Sequence, residues 1–477
     1  MQCTVLLGDG AMGTMLQAAG LSVGEPPEKW NLSNPKVIRE VHRQYIDAGA
    51  DIIETNTFGG NSHKLRDASP QAAWEINLAG SRLAREMAGP NTLVAGSMGP
   101  TGGLVFPWGG ISFDAALDSY AQQAQALAAG GADFILIETM TDLQEARAAA
   151  FGAMSAGIPI AIQLTFDPSG RILMGTPADV AAAVLSTLNP LWVGCNCGTG
   201  PEEMLDPIKQ MRPWAGVLAA FPNAGLPEWR ESEQVYPLQP EGFATGSQLL
   251  IQAGVSILGG CCGTTPSHIR VLRSIVDGCS PKNRPRDILH KLREIQFQHY
   301  VSLRAAKWVA GEQLNDSMQK SESADSSRAV ASGMFLASRT LLLPLGNRQV
   351  SYQLERVGSI VEFEPGSWHH RGNSGNMCMP IHIPVIDIPR NLPLEQIAPL
   401  VGGLQIQAMP AVFTCGSLEA LQATLLNYCG RAGVVIPAAR ADDYVDMTLA
   451  MGALPIYTQV RLEGCRYQTL KCKDQNS

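Results

Sequence analysis

Short apolar runs alternate with longer amphipathic segments through the first part of this chain. Each run is bounded by glycine or polar residues, as a buried strand would be, and the segments between the runs have the length and period of helices. Eight runs are predicted as strands: Val5–Leu7, Asp51–Glu54, Thr92–Ser97, Phe134–Glu138, Pro159–Leu164, Leu191–Asn196, Gly216–Ala220 and Ser256–Gly259. Eight strand–helix units predict a closed (β/α)8 TIM barrel over residues 1–284. An open doubly wound sheet is the alternative, but units of near-equal length favour closure.

A second, smaller α/β domain of unknown role is predicted over residues 334–477. It begins with hairpin character in Arg339–Glu364 and continues with four shorter strands: Ile381–Ile388, Pro410–Thr414, Gly433–Ile436 and Leu454–Val460. Residues 285–333 between the two domains are predicted as a helical connector followed by a polar linker.

Composition and charge narrow the class of protein. The chain has 477 residues, 45% of them hydrophobic, and a formal charge of −8. Lys and Arg form no stripe, which argues against nucleic acid and anionic membrane as partners. The sequence has neither an apolar run of about 18 residues nor a signal-peptide pattern, so we expect a cytoplasmic protein. Eleven cysteines in that compartment indicate thiols or metal ligands rather than disulfides.

Two glycine-rich cysteine clusters follow predicted strands. Cys197 lies in one, and the adjacent pair Cys261–Cys262 lies in the other. Adjacent side chains of a regular strand point to opposite faces, so the two cysteines of this pair would not pack into the core together. A bend in the chain would have to turn both thiols inward, as a metal site would require. Three thiolates can hold a zinc ion and leave its fourth position open, as catalytic zinc sites do. A vicinal disulfide is the alternative.

Cys195 is a tempting fourth ligand, because in a regular strand it shares a face with Cys197. Four cysteines would make a closed structural zinc site. We predict instead that the Cys195 side chain lies in the barrel wall and binds no metal. The pair His369–His370 lies in a loop-like stretch, and we predict no metal there.

Polar residues follow several other predicted strands, at the rim where the active sites of such barrels lie. Carboxylates in these positions can simply cap the next helix. Gathered on one rim, they would instead form a pocket for a zwitterion, with carboxylates for an ammonium group and backbone N–H groups for a carboxylate. The residues concerned are Asp9, Glu54, Asn56, Glu138 and Asn223.

Together, these motifs resemble the zinc-dependent homocysteine S-methyltransferases, and most closely the homocysteine-binding barrel of cobalamin-dependent methionine synthases. The resemblance covers residues 3 to about 280. It is carried by Asp9-Gly10-Ala11-Met12-Gly13-Thr14, Ile53-Glu54-Thr55-Asn56-Thr57-Phe58-Gly59, Gly99-Pro100-Thr101-Gly102, Asn196-Cys197, Pro222-Asn223-Ala224-Gly225 and Gly259-Gly260-Cys261-Cys262-Gly263-Thr264-Thr265-Pro266.

The resemblance implies a role for each matching residue. Cys197, Cys261 and Cys262 correspond to the family's zinc ligands, and zinc would ionise the thiol of homocysteine for attack on an activated methyl group, giving methionine. The substrate-contacting positions correspond to Asp9, Glu138 and Asn223, with Gly10 and Ala11 close to them.

The methyl donor is less clearly implied. The Asp-x-His-x-x-Gly motif of cobalamin-binding modules is absent from the sequence, and residues 334–477 are too few for a full folate-binding barrel. We therefore expect the donor to be a methylcorrinoid such as methylcobalamin, carried by a separate corrinoid protein. The alternatives are a small donor (S-methylmethionine, S-adenosylmethionine or a betaine), another short-chain thiol as acceptor, and a non-catalytic zinc or thiol sensor.

Overall fold

A computed structural model describes most of the first 305 residues and shorter segments beyond them. The described residues are 5–22, 24–65, 68–106, 108–230, 233–277, 285–305, 309–310, 340–345, 348–359, 381–388, 392, 394, 397, 401, 411–428, 432–436, 441–451 and 453–457. The predicted polar linker and the His369–His370 pair lie outside them. None of the helices within these ranges could span a bilayer.

Eight parallel strands form the barrel that the sequence predicts, at β1 Leu6–Leu7, β2 Ile52–Glu54, β3 Leu93–Met98, β4 Phe134–Met140, β5 Ile160–Leu164, β6 Val193–Asn196, β7 Leu218–Phe221 and β10 Val255–Leu258. Strands β1 and β2 lie at the two ends of the hydrogen-bonded order. The Asp51 N–H donates to the Leu7 carbonyl over 2.7 Å, and the Asp51 carboxylate accepts from the Leu7 N–H over 2.9 Å. These two bonds bring β1 and β2 together, so the closed barrel is confirmed over the open sheet.

Helices cover the outside of the barrel. They are α1 Met12–Ala18, α2 Trp30–Ser33, α3 Pro35–Asp47, α4 Pro70–Ala88, α5 Phe113–Gly130, α6 Leu143–Met154, α7 Ala178–Leu185, α8 Leu205–Met211, α9 Pro240–Gln252, α10 Pro266–Asp277 and α11 Pro285–Ala305, with short 3-10 turns at Pro27–Lys29 and Ser186–Leu188. Ser69 and Ser112 cap α4 and α5 through their side chains. Gly131 ends α5 in a left-handed conformation.

The barrel interior is apolar at one end and polar at the other. Phe134 and Trp192 pack edge to face inside it, with ring centroids 5.0 Å apart. Ile288 of α11 packs against the same cluster. Because alternate residues of a strand point inward, Phe134 and Leu136 of β4 are followed on the same face by Glu138. Polar side chains therefore collect at the carboxyl ends of the strands.

The second unit contains a seven-stranded mixed sheet. Its strands are β11 Val309–Ala310, β12 Thr340–Leu345, β13 Arg348–Ser359, β14 Ile381–Ile388, β15 Ala411–Cys415, β16 Ala432–Ile436 and β17 Leu454–Tyr457, and its described helices are α12 Leu418–Asn427 and α13 Ala441–Ala450. Strands β12 and β13 form the predicted hairpin, and β13 to β17 run parallel. The smaller α/β layer is present, and Val309–Ala310 belongs to its sheet rather than to the connector.

The second unit contacts the barrel at α6. Arg147 is 3% exposed, and its guanidinium donates to the Tyr428 carbonyl over 2.7 Å and also to the Leu425 carbonyl. The neighbouring Gln144 amide donates to the Leu426 carbonyl over 2.9 Å. These carbonyls lie at the carboxyl end of α12, where the helix dipole favours a positive charge. Arg147 is thus buried against a matching partner from the second unit.

We expect Arg147→Met to loosen this contact, because it leaves carbonyl groups at the end of α12 without their donor. The cost in free energy of unfolding should be about 1–3 kcal/mol. Hydrogen exchange should become faster in Leu418–Asn427 and stay unchanged in the barrel strands. The control is Arg171→Met, which removes an exposed arginine that bonds the Gly175 carbonyl. Unchanged exchange in α12 of Arg147→Met would contradict the anchoring role.

Candidate metal centre

Three cysteine sulfurs meet at the rim of the barrel. Cys197 directly follows β6, and Cys261 and Cys262 follow β10. The sulfurs of Cys197 and Cys262 are 3.7 Å apart, and all three lie within 4.8 Å of one another. Tetrahedral zinc with Zn–S bonds of about 2.3 Å places its sulfur ligands about 3.8 Å apart. The donor set and its spacing therefore fit a zinc ion with one position left for another ligand.

Backbone contacts with the end of β7 and the residue after it hold these cysteines in place. The N–H of Cys197 donates to the Phe221 carbonyl over 3.0 Å, and the N–H of Cys261 donates to the Pro222 carbonyl over 2.8 Å. Cys197 has a φ of 58° and is followed by Gly198 at 75°. A left-handed cysteine is uncommon and indicates a backbone constrained by its surroundings. The bend turns the chain out of the strand direction immediately after β6.

Hydrogen bonds among the three thiols shift their pKa values in different directions. Bonds from Cys197 and Cys261 lower the pKa of Cys262 to about 3. The bond with Cys261 lowers the pKa of Cys197, but its bond with Cys262 and burial outweigh this and raise it to about 12. Bonds with the other two thiols raise the pKa of Cys261. A metal ion would displace the protons of the thiols that it binds, since the thiolate is the form that binds metal.

Cys195 lies in the barrel wall, as the sequence favoured. Its side chain is buried, and its sulfur is 3.3 Å from the Met211 sulfur on α8. It points between strand and helix rather than towards the rim. Among the described residues, the metal-competent cluster contains Cys197, Cys261 and Cys262 without Cys195.

Three buried carboxyl groups lie beside the cysteines. Burial raises the pKa of Asp9, and the nearby Glu138 raises it further. Burial, Glu138 and Asp9 together raise the pKa of Glu54. The pKa of Glu138 rises to about 7, chiefly through burial, with Cys262 adding to the shift although the bond from Ser97 opposes it. Such a cluster of interacting acids attracts a cation, which would stabilise their charged forms.

Several oxygens of this pocket are ready to accept hydrogen bonds. Asp9 Oδ1, Glu54 Oε1 and Asn223 Oδ1 are buried and have no hydrogen-bond partner among the described residues. Asp9 uses its other carboxylate oxygen to accept from the Glu54 N–H over 3.0 Å. Unsatisfied buried acceptors are costly, so a pocket lined with them favours a ligand that carries donors. An ammonium group has three donors and the complementary charge.

Neighbouring residues orient Glu138, and the sequence did not single them out as site residues. Its carboxylate accepts from the Ser97 hydroxyl and, over 3.2 Å, from the Asn196 amide. The Asn196 amide oxygen also accepts from the N–H of Thr139 over 2.7 Å. Thr139 has a φ of 59°, which is strained for a β-branched residue. The sequence signal for Ser97 is the inward-facing period of β3, and for Asn196 it is the period of β6 together with its place beside Cys197 in the family motif.

The predicted site residues do not all reach the pocket. Gly10 and Ala11 follow β1 beside Asp9, and the Ala11 N–H donates to the Thr264 hydroxyl over 3.2 Å. The Asn56 side chain makes its hydrogen bonds outside the pocket. Its amide nitrogen donates to the Pro27 carbonyl over 2.8 Å and to the Asn31 side chain over 3.0 Å. This amide fastens the loop after β2 to the outer wall, so we leave Asn56 out of the pocket.

Comparison with known proteins identifies a family and relatives of this chain. A family model described as homocysteine S-methyltransferase matches residues 6–276. The methionine synthase of Mycobacterium leprae (strain TN) is 36% identical over 312 residues, which cover 60% of this chain and 25% of that protein. The methionine synthase of Mycobacterium tuberculosis (strain ATCC 25618 / H37Rv) is 36% identical over 294 residues, covering 57% and 24%. The chain thus spans about a quarter of the length of these curated relatives.

A solved structure is also similar to part of this chain. The crystal structure of the homocysteine methyltransferase MmuM from Escherichia coli in its oxidised form aligns with 57% of this chain and 96% of that chain. The sequence identity is 25% and the TM-score is 0.49.

Proposed function

This chain belongs to the homocysteine S-methyltransferase family, and we propose on that basis that it transfers a methyl group to the thiol of homocysteine, giving methionine, with zinc held by Cys197, Cys261 and Cys262. The observation that carries the proposal is the meeting of three cysteine sulfurs, within 4.8 Å of one another, at the barrel rim. The buried acidic pocket beside them supports an amino acid as the substrate.

Each part of the site has a separate task. Bound to three thiolates with one position open, zinc would supply the positive charge that ionises a substrate thiol at neutral pH. Asp9, Glu54 and Glu138 hold the substrate ammonium group, and Asn223 and the Gly10–Ala11 turn border the rest of the amino acid. Fixing both ends of the substrate aims its sulfur out of the barrel mouth, towards the methyl donor.

We further propose that the donor is a methylcorrinoid held outside these 477 residues. The 36% identity with two methionine synthases supports this choice. Residues 1–284 then form the homocysteine-activating domain, and residues 334–477 form a domain anchored to the barrel at α6. Within residues 285–333, Val309–Ala310 pairs with the sheet of that second domain, and we propose that the rest connects the two. We propose no ligand for that second domain.

The experiment that tests the function is methionine formation by the zinc-loaded protein from homocysteine. Methylcobalamin, S-methylmethionine, S-adenosylmethionine and betaine are supplied in parallel. Transfer from methylcobalamin alone is the expected result. Transfer from a small donor alone would replace the corrinoid by that donor. Binding of zinc and homocysteine without transfer from any donor, even when a methylcorrinoid protein is added, would favour a thiol sensor.

The affinity for the amino-acid part of the substrate should depend on pH. A carboxyl group attracts ammonium only when ionised, so binding should weaken as the pH falls through about 7, the pKa of Glu138. Methionine is the better probe than homocysteine, because its thioether does not titrate. In Glu138→Gln the affinity should be lower at pH 8 and should vary less between pH 8 and 6. A wild-type affinity for methionine that is constant over this range would contradict the assignment.

A further inference from the structure

The buried Thr264 lies between the cysteine cluster and the turn that follows β1. Its N–H and its hydroxyl both donate to the Cys261 carbonyl, over 3.0 and 2.7 Å. The same hydroxyl accepts from the Ala11 N–H over 3.2 Å. One side-chain oxygen therefore joins the turn Cys261–Thr264, which carries two of the cysteines, to the turn Asp9–Ala11, which carries a carboxylate of the acidic pocket.

Glycines beside both turns leave room for the Thr264 side chain. A Cβ atom added to Gly10 would lie 2.6 Å from the Thr264 hydroxyl oxygen, and one added to Gly260 would lie 2.4 Å from it. A threonine side chain is short and branched at Cβ, so it has few rotamers with which to avoid such a contact. The close approach of this hydroxyl to both backbones therefore requires glycine at these two positions.

Two further contacts fix the position of one turn against the other. The Gly260 N–H donates to the Asp9 carbonyl over 2.8 Å. The hydroxyl of the buried Tyr45, on α3, lies 3.2 Å from the Ala11 carbonyl and 3.3 Å from the Thr264 carbonyl. Contacts within the protein thus set the separation of the two turns. Among them, the Thr264 hydroxyl is a link that a substitution of the same shape can remove.

The separation of the turns matters because each turn borders one end of the substrate in the proposed function. The substrate sulfur lies at the cysteines, and the ammonium group lies at Asp9. Homocysteine has two methylene groups between its α-carbon and its sulfur, whereas cysteine has one. A site that holds both ends at a fixed separation binds the chain that spans it and discriminates against a shorter one.

We propose that Thr264 is a positioning residue that fixes the distance between the cysteine cluster and the amino-acid pocket and thereby selects the chain length of the thiol substrate. The inference rests on the proposed function and narrows its substrate to a thiol amino acid with two methylene groups. Thr264 acts through the backbone of Cys261 and Ala11 rather than by touching the substrate. A shorter thiol amino acid reaches only one end of the site, so its binding depends less on this link.

The test compares Thr264→Val, Thr264→Ser and Thr265→Val with the wild-type protein. Valine keeps the shape of threonine without the hydroxyl, so the Ala11 N–H loses this acceptor, while the Cys261 carbonyl keeps the bond from the backbone N–H. Serine retains the hydroxyl. Thr265→Val is the matched control, because it removes the neighbouring hydroxyl, which lies 3.0 Å from the His268 Nδ1 atom. Circular dichroism checks that each variant is folded.

The first readout is the calorimetric binding of L-homocysteine and L-cysteine to the zinc-loaded proteins. The wild type should bind homocysteine more tightly. In Thr264→Val the affinity for homocysteine should fall about 10-fold, the scale of one buried hydrogen bond, and the affinity for cysteine should fall less. Thr264→Ser and Thr265→Val should keep the wild-type preference. A purely structural role would lower stability without changing the ratio of the two affinities.

The second readout needs neither zinc nor substrate. Hydrogen exchange of the Ala11 amide should be faster in zinc-free Thr264→Val than in the wild type or Thr264→Ser. Wild-type exchange together with a wild-type preference for homocysteine would overturn the proposal, and faster exchange with an unchanged preference would overturn the selection of chain length. A wild-type protein that binds neither thiol would refute the proposed function, whereas faster exchange in Thr264→Val would still support the link between the turns.

Discussion

Replacing Cys262 with alanine is expected to abolish zinc retention and methyl transfer together, while the barrel stays folded. The substitution removes one of three sulfurs that lie within 4.8 Å of one another. Two thiolates cannot replace the charge and the geometry that three supply, so the loss of affinity should exceed the roughly 100-fold that outer partners cost. Zinc per chain after dialysis, circular dichroism and methionine formation measure the three outcomes. Cys261→Ala and Cys197→Ala should behave alike.

Cys195→Ala is the matched control for these variants. It also removes a cysteine beside the cluster, but its sulfur packs against Met211 in the barrel wall. The variant should keep zinc and activity and lose only about 1 kcal/mol of stability. If Cys262→Ala retained zinc with wild-type affinity, or if Cys195→Ala lost it, the assignment of ligands would be wrong.

The barrel was predictable because each of its strands has a recognisable pattern in the sequence. Runs such as Phe134–Glu138 are apolar, short and followed by polar or glycine residues, and eight of them fix the architecture. The ends of the strands were predicted less accurately, since β4 extends to Met140 rather than ending at Glu138. Strands β8 Glu228–Arg230 and β9 Glu233–Val235, which pair with each other in the loop after β7, were not predicted, because this stretch is rich in charge and too short to show a strand period.

The meeting of the three cysteines was predictable for a geometric reason, whereas the surroundings of the cluster were not. Parallel strands bring their carboxyl ends to one rim, so residues that follow different strands meet there whatever their separation in sequence. The strand order does not determine which way the side chain of a loop residue points. Asn56 turns to Asn31 on the outer wall. The partner of Arg147 lies 278 residues away at Leu425, and no spacing in the chain points to it.

Asp9→Asn is expected to raise the KM for homocysteine roughly 10- to 100-fold and to change kcat far less. The asparagine oxygen can still accept the bond from the Glu54 N–H, so the loop keeps its shape. What is lost is the negative charge and the acceptor at Oδ1, which has no partner among the described residues. A hydrogen bond to a charged group is worth about 1.5–3 kcal/mol, which corresponds to that range of affinity.

The division between KM and kcat follows from where Asp9 acts. An ammonium group held equally in the ground state and the transition state contributes to binding rather than to the chemical step. Zinc content should therefore match the wild type. Asp142→Asn is the control, because Asp142 is also a buried acid, with its pKa raised to about 6 mainly by burial, but it caps α6 through the Gln144 N–H. It should change stability and leave the KM unaltered. A fall in kcat at unchanged KM in Asp9→Asn would place this carboxylate at the reacting sulfur instead of at the ammonium group.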